Sequence, residues 1–269
     1  MILVTGYKGF IGSFLYKKLK QYGYDVVGFE WGDELNLANL HTVMHLGAIS
    51  STTERNVEKI MLQNYQFSSL LLDECIKRNI NFQYASSASV YGQKNYYKAS
   101  EDMPVDPLTP YAWSKYLFER YASEKIKTDP KSIIQGFRYF NVWSKKGEDH
   151  KGNQSSPYFK FIKDAKNKKT ITLFQGSQFY KRDFIHVNDI VDYHIKFLNV
   201  KESGLWNLGS GTAKSFLDVA IEVQAEYPCE FNFIQMPDNL KNSYQYYTCA
   251  DMTKTHFTLN QYNKERVRL

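Results

Sequence analysis

The first half of the chain alternates short apolar runs with longer stretches in which apolar residues recur at helical spacing. Ile2-Leu3-Val4-Thr5 reads as a strand, and Ile11, Leu15, Leu19 and Tyr22 then fall on one face of a helix. Asp25-Val26-Val27-Gly28-Phe29-Glu30 reads as a second strand, and Thr42-Val43-Met44-His45-Leu46-Gly47-Ala48 as the next. A long helix follows, with Val57, Ile60, Met61, Phe67, Leu70, Leu71 and Cys75 on its apolar side. Asn64 interrupts that side. A buried asparagine needs hydrogen-bond partners, so it is either a structural clamp or a ligand contact. Further on come a strand at Phe82–Ala85 and a helix from Pro110 through Tyr121. Ser132–Asn141 and Ile171–Phe174 read as strands, and Lys181–Val187 as another. A helix at Asn188–Phe197 and a strand at Leu205–Gly209 close the main sheet.

Strands alternating with helices predict an α/β fold, a Rossmann-type doubly wound parallel sheet. The interval between Glu30 and Thr42 has no room for a strand and helix of its own. In the strand order 3-2-1-4-5-6 the third strand is an edge. Its loss leaves the sheet centre whole, makes the second strand the new edge and opens that side of the pocket. The expected division is a dinucleotide-binding domain over 1–140 plus 186–210, and a smaller interleaved lobe over 141–185 plus 211–269.

The 269 residues are 43% hydrophobic and 23% charged, enough for a real core. No apolar run approaches a membrane span. The start carries no basic region or cleavage site, so the expectation is a cytoplasmic protein. Cys75, Cys229 and Cys249 are scattered and form no disulfide framework or CxxC site. The net charge of +6 comes from lysines spread over several helices, which argues for solvated faces and an anionic small molecule rather than nucleic acid. His41 and His45 have HxxxH spacing but no acidic partner, so no metal is expected.

Candidate chemistry sits where the pattern turns polar. Gly6, Gly9 and Gly12 form a GxxGxxG turn between the first strand and helix, which predicts a phosphate cradle facing a helix N-terminus. Glu30 lies near the offset where an acid meets a ribose 2′-hydroxyl, and its charge favours NAD over NADP. Ser50-Ser51-Thr52-Thr53-Glu54 is a polar loop at a strand's carboxyl end. Tyr111 and Lys115 are one helical turn apart, so an ammonium is expected beside the phenol, lowering its pKa. Ser87, from Ser86-Ser87-Ala88-Ser89-Val90-Tyr91-Gly92, can share a substrate oxygen with Tyr111. Together they make a proton-transfer device for an alcohol becoming a carbonyl. Lys151 sits in a charged loop and reads alone as a surface lysine. Arg182 can pair with Asp183 or clamp a phosphate. Tyr244, Tyr246 and Tyr247 can pack together or flank a base ring.

As a set, these stretches resemble the extended short-chain dehydrogenase/reductases acting on nucleotide sugars. The segments GAISSTTE, NYQFS, YASSASVYG, PYAWSKYLFE, GFRYFNV, HKGNQSS and LFQGSQFYKRDFIHVNDIVD, with NLGSGTAKSF and PDNLKNSYQYYTCADMT, look like those of the ADP-glyceromanno-heptose 6-epimerase family. The resemblance covers nearly the whole chain. It implies Tyr111, Lys115 and Ser87 as the active-site set and Lys151 as a second acid/base residue. It implies cofactor contacts at Phe10, Ile11, Glu30, Leu46, Gly47, Ala48, Ser50, Asn64 and Val142 beside the glycines and Lys115. Substrate contacts are implied at Ser87, Asn141, Asn153, Lys160, Phe174, Gln175, Gly176, Ser177, Arg182 and Tyr244. It further implies NADP as cofactor, an ADP-heptose as substrate and a homo-oligomer. The sequence departs from the family at the shortened 31–41 interval, at Trp143-Ser144 in place of YG, at Lys160 in place of histidine, and in a short C-terminus. Another nucleotide-sugar epimerase or dehydratase, and a non-catalytic sugar-nucleotide-binding protein, are the alternatives. Ala88-Ser89 after the serine speaks against a 4,6-dehydratase, and the intact Ser87–Tyr111–Lys115 set against a mere binder.

Overall fold

A computed structural model describes residues 1–51, 54–94, 96–129, 131–238 and 245–266, without the side chains of 153 and 263–266. Six strands form the main sheet: β1 (Ile2–Thr5), β2 (Val26–Phe29), β3 (Thr42–His45), β4 (Asn81–Ser87), β5 (Ile134–Tyr139) and β9 (Gly204–Leu208). Their order is β2-β1-β3-β4-β5-β9 and every pairing is parallel. Both faces of such a sheet must be covered, which is why β1 and β3 are buried throughout. Alternate residues serve opposite faces. Ile2 and Val4 meet Leu15 and Leu19 of α1 (Phe10–Gln21) and Val191 of α6 (Val187–Phe197). Leu3 faces a separate core with Leu71 and Leu72 of α3 (Phe67–Lys77) and Phe118 of α4 (Pro110–Thr128).

The doubly wound sheet is as expected, and β2 is its edge. The interval after β2 contains no strand, and it buries Leu37 and Leu40 against Phe29 and Val43 instead. Two leucines thus cover the apolar area that a further strand would have shielded.

Three predicted elements end differently. The strand expected to reach Ala48 stops at His45, because the Gly47 N–H turns back to the Thr5 hydroxyl at 3.0 Å. The strand expected to reach Asn141 ends at Tyr139. The chain then enters β6 (Asn141–Trp143), which joins β8 (Lys181–His186) and β10 (Ala213–Ser215) in a second sheet. The long helix is not uniform. It starts as α2 (Val57–Ile60), widens to a π-helix over Met61–Gln66 and resumes as α3.

A smaller core gathers Tyr158, Phe161 and Ile162 of α5 (Pro157–Lys168), Ile171 and Leu173 of β7 (Thr170–Phe174), Phe184 of β8 and Val219 of α7 (Phe216–Glu226). β7 pairs with β11 (Glu230–Ile234). Trp143, one of the departures noted above, stacks on Tyr158 with ring centroids 3.8 Å apart. Asp183 is fully buried and accepts backbone N–H groups of Ser210, Gly211 and Ala250, holding three segments together. Among the described residues no helix is long and apolar enough to cross a membrane.

Candidate active site

The carboxyl ends of the main-sheet strands enclose a cleft of about 620 Å³. Open α/β sheets bind ligands at this edge. Its floor is the glycine turn. Gly6 has φ +67°, and a Cβ there would stand 2.7 Å from the Gly47 Cα. A Cβ on Gly12 would stand 2.0 Å from the Gly6 carbonyl oxygen, so α1 packs directly on the turn and aims its first N–H groups at the cleft. Gly9, Phe10 and Ile11 border it on this side, and Leu46, Gly47, Ala48 and Ser50 beyond β3. The Glu30 carboxylate accepts the Lys8 backbone N–H at 2.6 Å and lies on the same rim. A recess of about 190 Å³ adjoins it, walled by Trp31, Gln63 and Phe67. Trp31 stands edge-on to Phe67 at 5.2 Å and is 50% exposed. A turn too tight for a side chain, a helix N-terminus and a carboxylate just after β2 fit a dinucleotide. Such a cofactor would supply a hydride acceptor, with its diphosphate on the glycine turn.

Ser87 closes β4, and Tyr111 and Lys115 reach the cleft from α4. Thr109 caps α4 by accepting the Ala112 N–H at 3.1 Å, and Pro110 occupies the first helical position. Tyr111 is therefore fixed in the first turn, where Ser87 hydrogen-bonds to it. The Lys115 Nζ lies 5.9 Å from the Tyr111 ring centre and donates to the Ala85 carbonyl at 2.9 Å. The lowered phenol pKa expected from the helix spacing is not what the structure shows. Burial raises Tyr111, and the Ser87 hydrogen bond only partly opposes it. Burial also lowers Lys115 to about 8, against an upward pull from Glu119. Burial outweighs the hydrogen bond at Tyr111 and the neighbouring carboxylate at Lys115.

This shift has a testable consequence. A lysine whose folded pKa lies below its unfolded value loses stability as pH falls through the folded pKa. Lys115→Met is therefore expected to stabilise the cofactor-stripped protein at pH 7 by about 3 kcal/mol at most. Urea melts should show the gap narrowing as pH rises from about 8 towards 10.5. A gap independent of pH would refute burial as the cause.

Behind Lys115 lies a residue the sequence reading missed. Glu119, one turn further along α4, is buried and receives Arg138 Nε at 2.9 Å, Arg138 Nη2 at 2.7 Å and the Ser86 hydroxyl. It ties the Tyr111–Lys115 turn of α4 to the ends of β4 and β5. Asn64 does not line the cleft. Its amide accepts the Ile49 N–H at 2.8 Å and donates to the Ile49 carbonyl and the Ser114 hydroxyl, which clamps the loop after β3 to α4. His45 is also structural. Its ring bonds the Thr5 and Ser68 hydroxyls, and burial lowers it to about 3, so it stays neutral. Among the described residues no three His, Cys, Asp or Glu side chains could hold a metal.

Asn141, Val142 and Lys151 line the main cleft with Tyr111. Lys151 belongs to the short helical turn before α5 and pairs with the buried Glu148 at 2.8 Å. Lys160, Phe174 and Ser177 instead border a smaller pocket of about 160 Å³ with Tyr180 and Phe216. There Ser177 is buried and its hydroxyl has no partner. Burial, then the charge of Lys151, lowers the pKa of Lys160. Gly176 supplies a positive φ of 81° in the turn after β7, and Gln175 bonds Gln235. The Arg182 guanidinium lies over the Phe216 ring at 5.6 Å and donates to the Lys181 carbonyl, while Asp183 is taken by backbone groups. Tyr244 and the Asn153 side chain lie outside the described residues.

Known proteins share this architecture. The chain superposes on an ADP-L-glycero-D-manno-heptose-6-epimerase from Helicobacter pylori with TM-score 0.83 and 24% identity, covering 96% of this chain and 89% of that one. It superposes on a UDP-glucose 4-epimerase from Thermotoga maritima, determined with UDP-glucose, with TM-score 0.84 and 22% identity over 96% and 92% of the two chains. A UDP-glucuronic acid 4-epimerase from Bacillus cereus, in complex with UDP-glucuronic acid and NAD, gives TM-score 0.79 and 24% identity over 96% and 92%. These likenesses establish the fold. The sequence profile described as the NAD dependent epimerase/dehydratase family matches residues 2–209, from β1 through the last strand of the main sheet, and the chain belongs to that family.

Proposed function

We propose that this protein inverts C6 of an ADP-linked heptose, converting ADP-D-glycero-D-manno-heptose to its L-glycero epimer. The observation that carries the reading is the convergence of two proton-handling groups from separate elements, Tyr111 on α4 and Lys151 before α5, on one cleft with the glycine turn. An inversion needs a proton removed from the sugar hydroxyl and one returned after the carbon has changed face, and two groups serve this better than one. Bound NAD would take the hydride from the sugar carbon and give it back, with no net redox change. Ser87 orients the reacting oxygen beside Tyr111. Lys115, which faces the same cleft, would hold the ribose of the cofactor there. The smaller pocket, with the unpartnered Ser177 hydroxyl and Lys160 at its border, takes the nucleotide end. The nucleotide-binding domain is 1–140 plus 186–210 and the substrate lobe is 141–185 plus 211–269. The resemblance of the STTE, HKG and FYKRDF segments favours the heptose.

A second reading, another nucleotide-sugar epimerase or dehydratase, is favoured by Lys160, which replaces a histidine that the heptose family uses. Incubation with ADP-D-glycero-D-manno-heptose, followed by NMR of C6, tests the first. A protein that leaves this substrate unchanged but epimerises UDP-glucose or UDP-glucuronic acid would overturn it. One that turns over none of these, and releases no NAD or NADP on denaturation, is a binding module.

The cofactor is NAD in this reading. The Glu30 carboxylate would meet a 2′-phosphate with like charge, and the short interval after β2 lacks the basic residues that would offset it. The recess beside Glu30 takes the adenine, with Trp31 as one wall. Calorimetry should show NAD bound at least tenfold more tightly than NADP, roughly the 1.4 kcal/mol that separates a factor of ten. Trp31→Ala is expected to weaken NAD about tenfold, within the range for a base stacked on an aromatic ring. It should leave nicotinamide mononucleotide, which lacks adenosine, unchanged. Equal affinity of wild type and Trp31→Ala for NAD would rule out the tryptophan wall.

A further inference from the structure

The geometry points to Glu148 as the positioning residue for Lys151, so that the second proton-handling group works as a carboxylate–amine unit. This rests on the reading of Lys151 given above. Glu148 follows β6 in the turn that leads to α5, and it is completely buried. Its Oε1 accepts the Ser144 N–H at 3.1 Å and the Ser156 hydroxyl at 2.6 Å. Its Oε2 accepts the Ser156 N–H at 2.7 Å and the Lys151 ammonium at 2.8 Å. Three uncharged donors thus fix the carboxylate from behind, independently of the lysine. The fourth partner is the side chain that reaches the cleft, 21% exposed.

The amine is held from a second direction. Lys151 Nζ stands 4.6 Å over the Phe10 ring, whose residue begins α1 beside the glycine turn. A long flexible lysine would otherwise sample many rotamers, and reaction rates fall steeply when a group is misplaced by about 1 Å. The nearby half-buried Lys160 adds a reason for the carboxylate, because two cationic side chains so close repel each other.

The proton bookkeeping is simple. In the returning half-reaction an N–H bond of the Lys151 ammonium breaks and an O–H bond forms on the sugar. The neutral amine then regains a proton from solvent, and the ion pair with Glu148 re-forms. Glu148 keeps its three uncharged donors throughout, from the Ser144 N–H and the Ser156 N–H and hydroxyl.

A carboxylate that only staples the turn to α5 would look similar in outline, so the test measures coupling. Wild type, Glu148→Gln, Lys151→Met and the double variant are assayed as full-length protein with ADP-D-glycero-D-manno-heptose. Glu148→Gln is expected to lower kcat by about 10²-fold with little change in KM. In the Lys151→Met background it should change kcat by less than about twofold, since residues acting as a unit are not additive. Equal losses in both backgrounds would show that Glu148 acts on the turn alone and would overturn the proposal. If Glu148→Gln does not fold by circular dichroism, Glu148→Asp takes its place in the same cycle, with the same expectation. A substrate-free readout separates this proposal from the function it rests on. Acetic anhydride should acylate Lys151 several-fold faster, by mass spectrometry, when Glu148 is replaced. Unchanged labelling would refute the pairing, whereas wild type that labels as expected but does not turn over would refute the proposed function.

Discussion

Tyr111→Phe is expected to lower turnover by three orders of magnitude or more while nucleotide-sugar binding stays nearly intact. A general acid or base contributes about 10²–10⁴-fold, and the phenol is hydrogen-bonded to Ser87 in the cleft. The variant removes only the hydroxyl, so the first turn of α4, set by Thr109 and Pro110, should be undisturbed. Binding by calorimetry and turnover by NMR, measured on the same sample, check the split. Normal turnover would remove Tyr111 from the mechanism, and a parallel loss of binding would make it a substrate contact instead. Its surroundings raise the Tyr111 phenol above the ordinary tyrosine value. Wild type is therefore expected to gain activity as pH rises above neutral, until Tyr111 or another group limits it.

Arg138→Met should have the largest effect on stability. It leaves the Glu119 carboxylate, whose side chain is 4% exposed, buried without its charged partner. Removing one member of a buried pair costs about 3–5 kcal/mol, because the remaining charge is uncompensated. Arg138 also lies over the Tyr91 ring at 4.7 Å and donates to the Glu101 carbonyl at 3.2 Å, so some packing goes with it. The double variant Glu119→Leu/Arg138→Met should recover much of the loss, because paired charges can be exchanged for apolar groups at little cost. Urea denaturation of wild type, Arg138→Met, Glu119→Leu and the double variant decides this. If the double variant is as unstable as the sum of the singles, the two residues do not act as a pair. A loss near zero for Arg138→Met alone would mean that water reaches Glu119.

These expectations show which parts of the site were legible in the sequence. The glycine turn, Ser87 and the Tyr111–Lys115 pair are local patterns, set within one element or at one strand end, and spacing is enough to find them. Loss of the third strand was legible too, because chain length alone limits what can fit between Glu30 and Thr42. Spacing carries no information about dielectric. The phenol pKa was therefore expected to move one way and is moved the other by burial. Ion pairs between elements were invisible for a different reason. Glu119 continues the Tyr111–Lys115 spacing, but a carboxylate on a helix reads as solvated until its partner on β5 is known. Glu148 and Lys151 are close in sequence, yet the run of charges around them resembled a surface loop. Only the fold shows that Glu148 points inward. Asn64 did leave a signal, the break in an apolar stripe. Its use as a clamp required the partners Ile49 and Ser114, from two other segments.

The π-helical stretch at Met61–Gln66 has a consequence for how this chain tolerates changes in length. A π turn carries one residue more than the α turn it replaces. Deleting one residue there would let the helix tighten to regular geometry with the segments before and after it still nearly in phase, because the wide turn absorbs the extra residue. Ile60 lies on one side of that hinge, and Leu71, Leu72 and Cys75, all buried, lie on the other. A single deletion within the stretch is thus expected to leave the core-facing side of α3 buried, and its cost to fall on the Asn64 clamp. The wide turn thus lets one continuous helix carry an extra residue at the Asn64 clamp without disturbing the core beyond it.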